Sequence, residues 1–369
     1  MLHIDPFTLD DYRALAAKDG EAAAIYLPTT PLSHRVNENR IAFKNLARQA
    51  LDAAARLDFA SVDVLAAAFA AIEGDYAFWS NQAHGLATLA FNGEIKTLRL
   101  AYPVSQSVEV GARLHLKPLL PALHPKRLWV LAISDDGAQL HRLLANRTLE
   151  RVDVPGMPVS LRDEMGELID RKRGESDRLT SGEGYLVRQR EYLKAIHDAV
   201  EPVIRDSNAP LVLVATQEHV GEYGALNAYP SLVGAVERSP SDTPHETILD
   251  RLDAIEQEER RKRLARWEDV YKERQDDRRT VSETQQISRL LTAGQIESLL
   301  VSHDEVKYGS VARDGTVEFA DGPGPGVYDV YDDIVRRALD TGVTILPVRS
   351  DEKAAARLHP LAATLRWPQ

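Results

Sequence analysis

The segment that most restricts what this chain can become is PLVLVAT, residues 210–216, an apolar run with no polar position on either side of a two-residue alternation. Such a strand has to be covered on both faces, which places it inside a sheet flanked by helices. AAAIYLP, residues 22–28, is a second buried-strand candidate, ended by proline. Helical periodicity surrounds both, so the fold class is α/β. At 369 residues the chain exceeds one typical core, and domains of about 100–150 residues imply two or three of them.

The first region, 1–123, predicts an N-terminal α+β domain. After the strand at 22–28, a helix over about 37–57 places Phe43, Leu46, Ala47, Ala50, Leu51 and Ala54 on one face. Arg40, Lys44 and Arg48 recur every four residues on the other side, as a solvent-facing stripe that either contacts RNA phosphates or is simply solvated. A second helix covers about 62–79. GLATLAF and EIKTLRL, joined by Asn92-Gly93, read as a hairpin, because that pair accepts the positive φ of a type I′ turn. SVEVGARLHL reads as a further strand, and KPLLPALHPK, with three prolines, as a boundary near residue 123.

The middle region, 124–247, opens on three strands with short turns: an antiparallel meander. A basic loop follows, then a helix over about 184–205 with Leu186, Leu193, Ile196, Val200 and Ile204 inward and with Pro202 placed to kink or end it. The strand at 210–216 completes a three-layer α/β domain. The last region, 248–369, starts with a charged helix to about 279 whose Leu249, Leu252, Ile255, Leu264, Trp267 and Tyr271 make a thin apolar stripe. Helix and strand patterns then alternate to the end, which favours a small α/β sandwich with a largely parallel sheet.

Composition removes several chemistries. With no cysteine there is no disulfide, thiolate metal site or cysteine nucleophile. The eleven histidines form no HxH, HxxxH or HExxH pair, so no metal and no cofactor is expected. No apolar run approaches a membrane span, and MLHIDPFTLDDYRAL carries acids where a secretory signal has a basic start; the expected location is cytoplasmic, with no membrane partner. GxxxxGK[ST], GxSxG and a strand-GxGxxG-helix unit are all missing. Gly322, Gly324 and Gly326 lie between a strand and a helix, but the interleaved prolines remove the amides a phosphate cradle needs. Asp135 and Asp136 end a strand, where paired carboxylates either hold a divalent ion or, as Asp-Asp-Gly, form a turn.

One stretch opposes the formal net charge of -11: residues 171–194, RKRGESDRLTSGEGYLVRQREYLK, carry seven Lys and Arg against four Asp and Glu. Cations beside glycine backbone suit a phosphate chain, because they displace condensed counterions and glycine permits close approach. A solvated, unstructured surface loop has the same composition.

These segments together resemble a known family. AAIYLPTTP…RVNENRIAFKNL, VGARLHLKPLLPAL, LWVLAIS…QLHRLL, SGEGYLVRQREYLKAIHDAV…APLVLVAT and AGQIESLLVS…GVTILPV…LAATLRW resemble the archaeo-eukaryotic release factor and Pelota superfamily, and within it bacterial archaeo-eukaryotic release factor family 3. The resemblance implies a ribonuclease-H-like middle domain and a C-terminal α/β sandwich like the L7Ae ribosomal protein. It also implies a ribosome-associated translation factor with ribosomal RNA, tRNA and a translational GTPase as partners, acting in ribosome rescue or hibernation. In release factors a Gly-Gly-Gln tip before the long helix helps water attack the peptidyl-tRNA ester. The matching tip here is Gly182, Glu183 and Gly184, with Gln189 further on, and it departs from that pattern because the glycines are split and no glutamine follows them. The expectation is therefore A-site binding on stalled or dormant ribosomes without peptide release, with RNA contacts from Arg171, Lys172, Arg173, Arg178, Arg188, Arg190, Arg40, Lys44 and Arg48. Two alternatives stay open: a peptidyl-tRNA hydrolase in which Glu183 or Gln189 replaces the missing glutamine, and a metal-dependent nuclease using Asp135 and Asp136.

Overall fold

The computed structural model describes residues 4–30, 36–123, 128–144, 148–162, 182–205, 209–226, 231–352 and 359–368. Two compact units divide the chain, one of Met1–Pro125 with Leu264–Gln369 and the other of Lys126–Arg263. The first and last regions, expected as separate domains, thus share a unit.

In the first unit, α1 (Leu9–Ala16) starts from a capping box in which Thr8 and Asp11 satisfy each other's backbone. Strand β1 (Ala22–Pro28) is followed by helices α2 (Val36–Arg56), α3 (Val62–Gly74) and α4 (Tyr76–Ser80). The hairpin β2 (Gly85–Phe91) and β3 (Glu94–Leu100) turns at Asn92 and Gly93, with φ of 46° and 84°, as a type I′ turn requires. Strand β4 (Ser107–Gly111) stops well short of the ten-residue strand expected; beyond it the chain leaves the sheet and reaches a single 3₁₀ turn and α5 (Leu120–Leu123). The antiparallel sheet has the order β3-β2-β1-β4.

Strand β1 is buried from Ala22 to Leu27 because each face of its sheet meets a different core. Ala23, Ile25 and Leu27 pack with Phe43, Leu46, Ala50 and Phe69 of α2 and α3. Ala22, Ala24 and Tyr26 join one hydrophobic cluster with Ile287, Ile296, Leu299 and Ile334 from the end of the chain. A second apolar face cannot be left in water, and this shared cluster is why the two ends of the sequence form one unit.

The second unit contains β5 (Leu128–Ser134), β6 (Gly137–Leu143) and β7 (Leu149–Val152), the antiparallel meander. Helix α6 (Gly182–Ile204) leads to β8 (Leu211–Ala215), α7 (Gln217–Leu226) and β9 (Leu232–Glu237). Strand β8 runs parallel to both β5 and β9, giving the order β7-β6-β5-β8-β9. Its two faces are covered as its composition demands. Leu211, Leu213 and Ala215 pack with Leu193, Ile196 and Val200 of α6, while Val212 and Val214 pack with Ile248 and Leu252 of α8 (His245–Asp276). Helix α6 runs through Pro202 to Ile204, so the proline neither ends it early nor removes more than one hydrogen bond. Leu186, expected inward, is exposed, since the buried face of α6 starts at Arg188 and Gln189.

The end of α8 carries Trp267, which stacks on Tyr271 and donates from Nε1 to Ser298 Oγ at 2.9 Å. Then follow β10 (Thr280–Val281), α9 (Thr284–Thr292), β11 (Ile296–Ser302), β12 (Tyr308–Val311), β13 (Val317–Phe319), β14 (Tyr328–Asp329), α10 (Val330–Asp340), β15 (Thr344–Val348) and β16 (Leu361–Leu365). The expected largely parallel sheet is corrected: in β10-β16-β11-β15 only β11 and β15 are parallel, and β16 inserts antiparallel between β10 and β11. A small antiparallel sheet, β13-β12-β14, follows β11, and Gly322, Gly324 and Gly326 lie in the connection between β13 and β14.

Gly309 in β12 has no room for a side chain, because a Cβ there would collide with the Glu318 carbonyl and lie 2.8 Å from Val330 Cγ2. Gly309→Ala should cost about 1–3 kcal/mol, measured as a lower urea midpoint with an unchanged slope.

Candidate functional site

In ARLHLKPLL the basic residues Arg113, His115 and Lys117 alternate with leucines. This non-sheet segment following β4 carries them to the first turn of α10, whose sequence YDVYDD supplies Asp329, Asp332 and Asp333. Acids suit a helix N-terminus, where amides point outward without intrahelical acceptors. Asp329 is the N-cap, accepting from the Tyr331 and Lys307 amides at 3.1 Å each.

The basic partners are then buried against these acids. The Lys117 side chain is fully buried, and its ammonium lies 2.7 Å from Asp329 Oδ2 and 5.0 Å from the Tyr331 ring centre. Further donors go to the Ser302 and Glu305 carbonyls. His115 Nδ1 lies between two carboxylates, 3.3 Å from Asp329 and 3.6 Å from Asp332. Asp332 also accepts from the Leu116 amide at 2.6 Å and from the Tyr12 hydroxyl at 3.3 Å. Asp333, with no exposed side-chain surface, is held by the guanidinium groups of Arg113, Arg336 and Arg337. The Tyr308 hydroxyl donates to Glu109 at 2.9 Å.

The two central carboxylates are driven apart. Burial raises Asp332 to about 6, against the pull of His115 and with the push of Asp329. Burial also opposes charge on Asp329, yet Lys117 and His115 outweigh it and hold Asp329 at about 2. Burial raises Glu109. A small cleft of about 40 Å³ lies between these groups, and the cluster acts as an electrostatic clamp between the segment around β4 and α10. None of its residues is a candidate from sequence. The signal is Lys117 within a proline-rich apolar run, a pattern that reads equally as a boundary.

The residues expected to act lie elsewhere. Arg171, Lys172, Arg173 and Arg178 fall outside the described residues. Gly182, Glu183 and Gly184 form the first turn of α6, followed by exposed Tyr185, Leu186 and Val187. The Gln189 side chain, expected near the tip, is fully buried on the inner face of α6. Arg188 is likewise buried rather than presented to RNA. Arg190 is exposed but paired with Glu222 at 2.7 Å. Arg40, Lys44 and Arg48 line the exposed face of α2, with Lys44 on Glu73 at 3.0 Å and Arg48 on Asn45 at 3.2 Å. The α2 stripe and the start of α6 belong to different units. Asp135 and Asp136 form the turn between β5 and β6, and no three ligand-type side chains converge on a metal position among the described residues.

Substitution and pH both test the clamp. Lys117→Met strands Asp329 as a buried, unpaired charge and should cost about 3–5 kcal/mol by urea denaturation, part of it recovered in Lys117→Met/Asp329→Asn. The pH profile should carry both carboxylates. Asp332 keeps its proton in the folded protein between its usual 3.8 and about 6, so its contribution to stability falls as pH rises through that window. Asp329, depressed to about 2, adds stability above 3.8 that is lost as pH falls toward 2. Asp332→Asn should abolish the decline between about pH 4 and 6 in denaturation midpoints while keeping the loss at lower pH.

Comparison with known proteins gives a match to the model of bacterial archaeo-eukaryotic release factor family 11 over residues 125–256. The matched family lies in the superfamily that the sequence resembles, and its number, 11, differs from the 3 that the resemblance gave. No curated protein sequence matches the chain. Similar solved structures include an archaeal Pelota described as ribosome-bound with ABCE1, 15% identical, covering 74% of this chain and 72% of that one at a TM-score of 0.43. Pelota of Archaeoglobus fulgidus is 15% identical over 99% of this chain and 94% of its own, at 0.36. Dom34 of S. cerevisiae, a translation termination-like factor interacting with Hbs1, is 11% identical over 75% and 74%, at 0.37.

Proposed function

We propose that this protein is a ribosome-associated translation factor of the release factor and Pelota type, acting in the cytoplasm. It binds the A site of stalled or dormant ribosomes through ribosomal RNA and does not release peptide by Gly-Gly-Gln chemistry. The observation that carries this reading is the family match at 125–256, which coincides almost end to end with the compact unit Lys126–Arg263. A match to one whole folding unit is what a shared domain produces, whereas a chance motif has no reason to respect such borders.

Within that unit the segment leading into α6 supplies the RNA contacts in this reading. Its lysines and arginines oppose the charge of the chain as a whole, which favours orientation of this end toward a polyanion. The split glycines around Glu183 and the enclosed Gln189 leave no glutamine amide at the start of α6 to position a water, which supports binding without Gly-Gly-Gln release. A ribonuclease-H-like middle domain, an L7Ae-like C-terminal portion, and tRNA and GTPase partners belong to the same proposal.

Sedimentation with ribosomes carrying labelled peptidyl-tRNA tests it. The protein should pellet with ribosomes, with no labelled peptide freed. Binding should weaken steeply with salt, and alanine at Arg171, Lys172 and Arg173 should flatten that dependence by about 0.7–0.9 in log-log slope for each phosphate no longer neutralised. Absence of binding at physiological salt refutes the reading. Peptide freed in an amount that Gly184→Ala abolishes would favour the hydrolase alternative.

A further inference from the structure

The second unit carries another polar group, at the carboxyl ends of the parallel strands β5 and β8, that ribosome binding does not use. Thr216 occupies the single position between the last residue of β8 and the first residue of α7, with its side chain exposed. His219, the third residue of α7, is only 4% exposed. Its Nδ1 lies 3.0 Å from Thr216 Oγ1, and its Nε2 lies 3.2 Å from Asp135 Oδ1. Asp135 directly follows β5, and its turn is pinned by its own carbonyl, which accepts from the Leu161 amide at 2.9 Å. A buried imidazole thus hydrogen-bonds an exposed hydroxyl through Nδ1, while its Nε2, which makes no hydrogen bond, lies beside a carboxylate whose backbone is fixed in place.

Helix capping is the ordinary use of a threonine before a helix, and α1 shows its signature: Thr8 Oγ1 accepts from the Asp11 amide at 3.1 Å. Thr216 differs. Its hydroxyl meets the His219 ring, and among the described residues no amide of α7 bonds to it. A hydroxyl on a sharp strand-to-helix turn, with outward amides of the first helical turn beside it, is the layout hydrolases use to expose a nucleophile beside an oxyanion hole. The neighbouring strand end is where open α/β sheets bind ligands.

We propose that Thr216, His219 and Asp135 form a hydrolytic relay acting on carboxylic esters. In the relay His219 carries its proton on Nε2, 3.2 Å from Asp135 and within a small ring tilt of donating a hydrogen bond to it, and accepts from the Thr216 hydroxyl at Nδ1. Thr216 Oγ1 attacks the ester carbonyl carbon as its proton passes to His219 Nδ1, and the oxyanion faces the amides of Gln217 and Glu218. The bond from carbon to the alcohol oxygen breaks, and that oxygen takes the proton from His219, leaving an acyl-threonine. Water then attacks the acyl carbon and gives a proton to His219. The bond to Thr216 breaks, its oxygen recovers the proton, and a carboxylic acid departs. The sum is ester plus water to acid plus alcohol. The relay stands apart from the ribosome-binding reading, and either can fail alone.

The test uses the purified full chain with p-nitrophenyl acetate. Hydrolysis above the buffer rate is expected, with an acetyl group on Thr216 detected by mass spectrometry after an acid quench. Thr216→Val and Asp135→Asn, both at exposed positions, should each lower the rate about a hundredfold. Thr216→Ser should still form the acyl-enzyme. Denaturation midpoints of the variants separate lost chemistry from lost folding. A wild-type rate equal to buffer, or a Thr216→Val rate equal to wild type, overturns the proposal. Ribosome sedimentation of the same variants should be unchanged, which keeps the two readings distinguishable.

Discussion

The ion pair between Lys117 and Asp329 is the constraint from which the first unit is organised. An ammonium with no exposed surface is tolerable only when a carboxylate and further acceptors surround it, and Lys117 has Asp329 together with the Ser302 and Glu305 carbonyls. Asp329 in turn starts α10 by accepting the Tyr331 amide, and it also accepts the Lys307 amide. The pair therefore locks the segment after β4 onto the beginning of one particular helix. Arg113 and His115 reach Asp333 and Asp332 on the same helix, in register with the lysine. Ion pairs of this kind contribute specificity more surely than net stability, since desolvation offsets much of their attraction.

That registration decides what covers the second face of β1. With α10 held against the chain after β4, Ile334 enters the cluster that also contains Ala24 and Tyr26, and β1 loses its last wet face. The middle unit reaches the same end without buried charge, by placing α6 and α7 on one face of β8 and the first half of α8 on the other. Its chemistry-bearing side chains are accordingly at the strand ends, where the faces are not sealed.

Much of the architecture was legible in the sequence because it is local. PLVLVAT announced a strand covered twice, Asn92-Gly93 announced its turn, and the 3.6-residue spacing of Phe43, Leu46, Ala50 and Ala54 announced the buried face of α2. The candidate sites were less legible. Arg188 and Gln189 follow a glycine-rich basic stretch and read as part of its exposed end, but α6 turns them inward one turn later. Nothing in their spacing distinguishes an inward from an outward start to that helix. His219 sits alone in the sequence, and only the fold sets Thr216 and Asp135 on its two nitrogens.

By itself, then, the sequence determined the identity of most helices and strands and the two-sided burial of β1 and β8, since these follow from periodicity and apolar runs within a few residues. Tertiary structure alone decided the directions of the strands near the C-terminus, the merger of the two chain ends into one unit, and the partners of the buried charges. The physical reason is distance along the chain: Leu116 and Asp332 are 216 positions apart, and no local pattern encodes which far carboxylate a buried cation or amide will meet. Charge pairing in a core is settled by desolvation, which exists only once the core has closed.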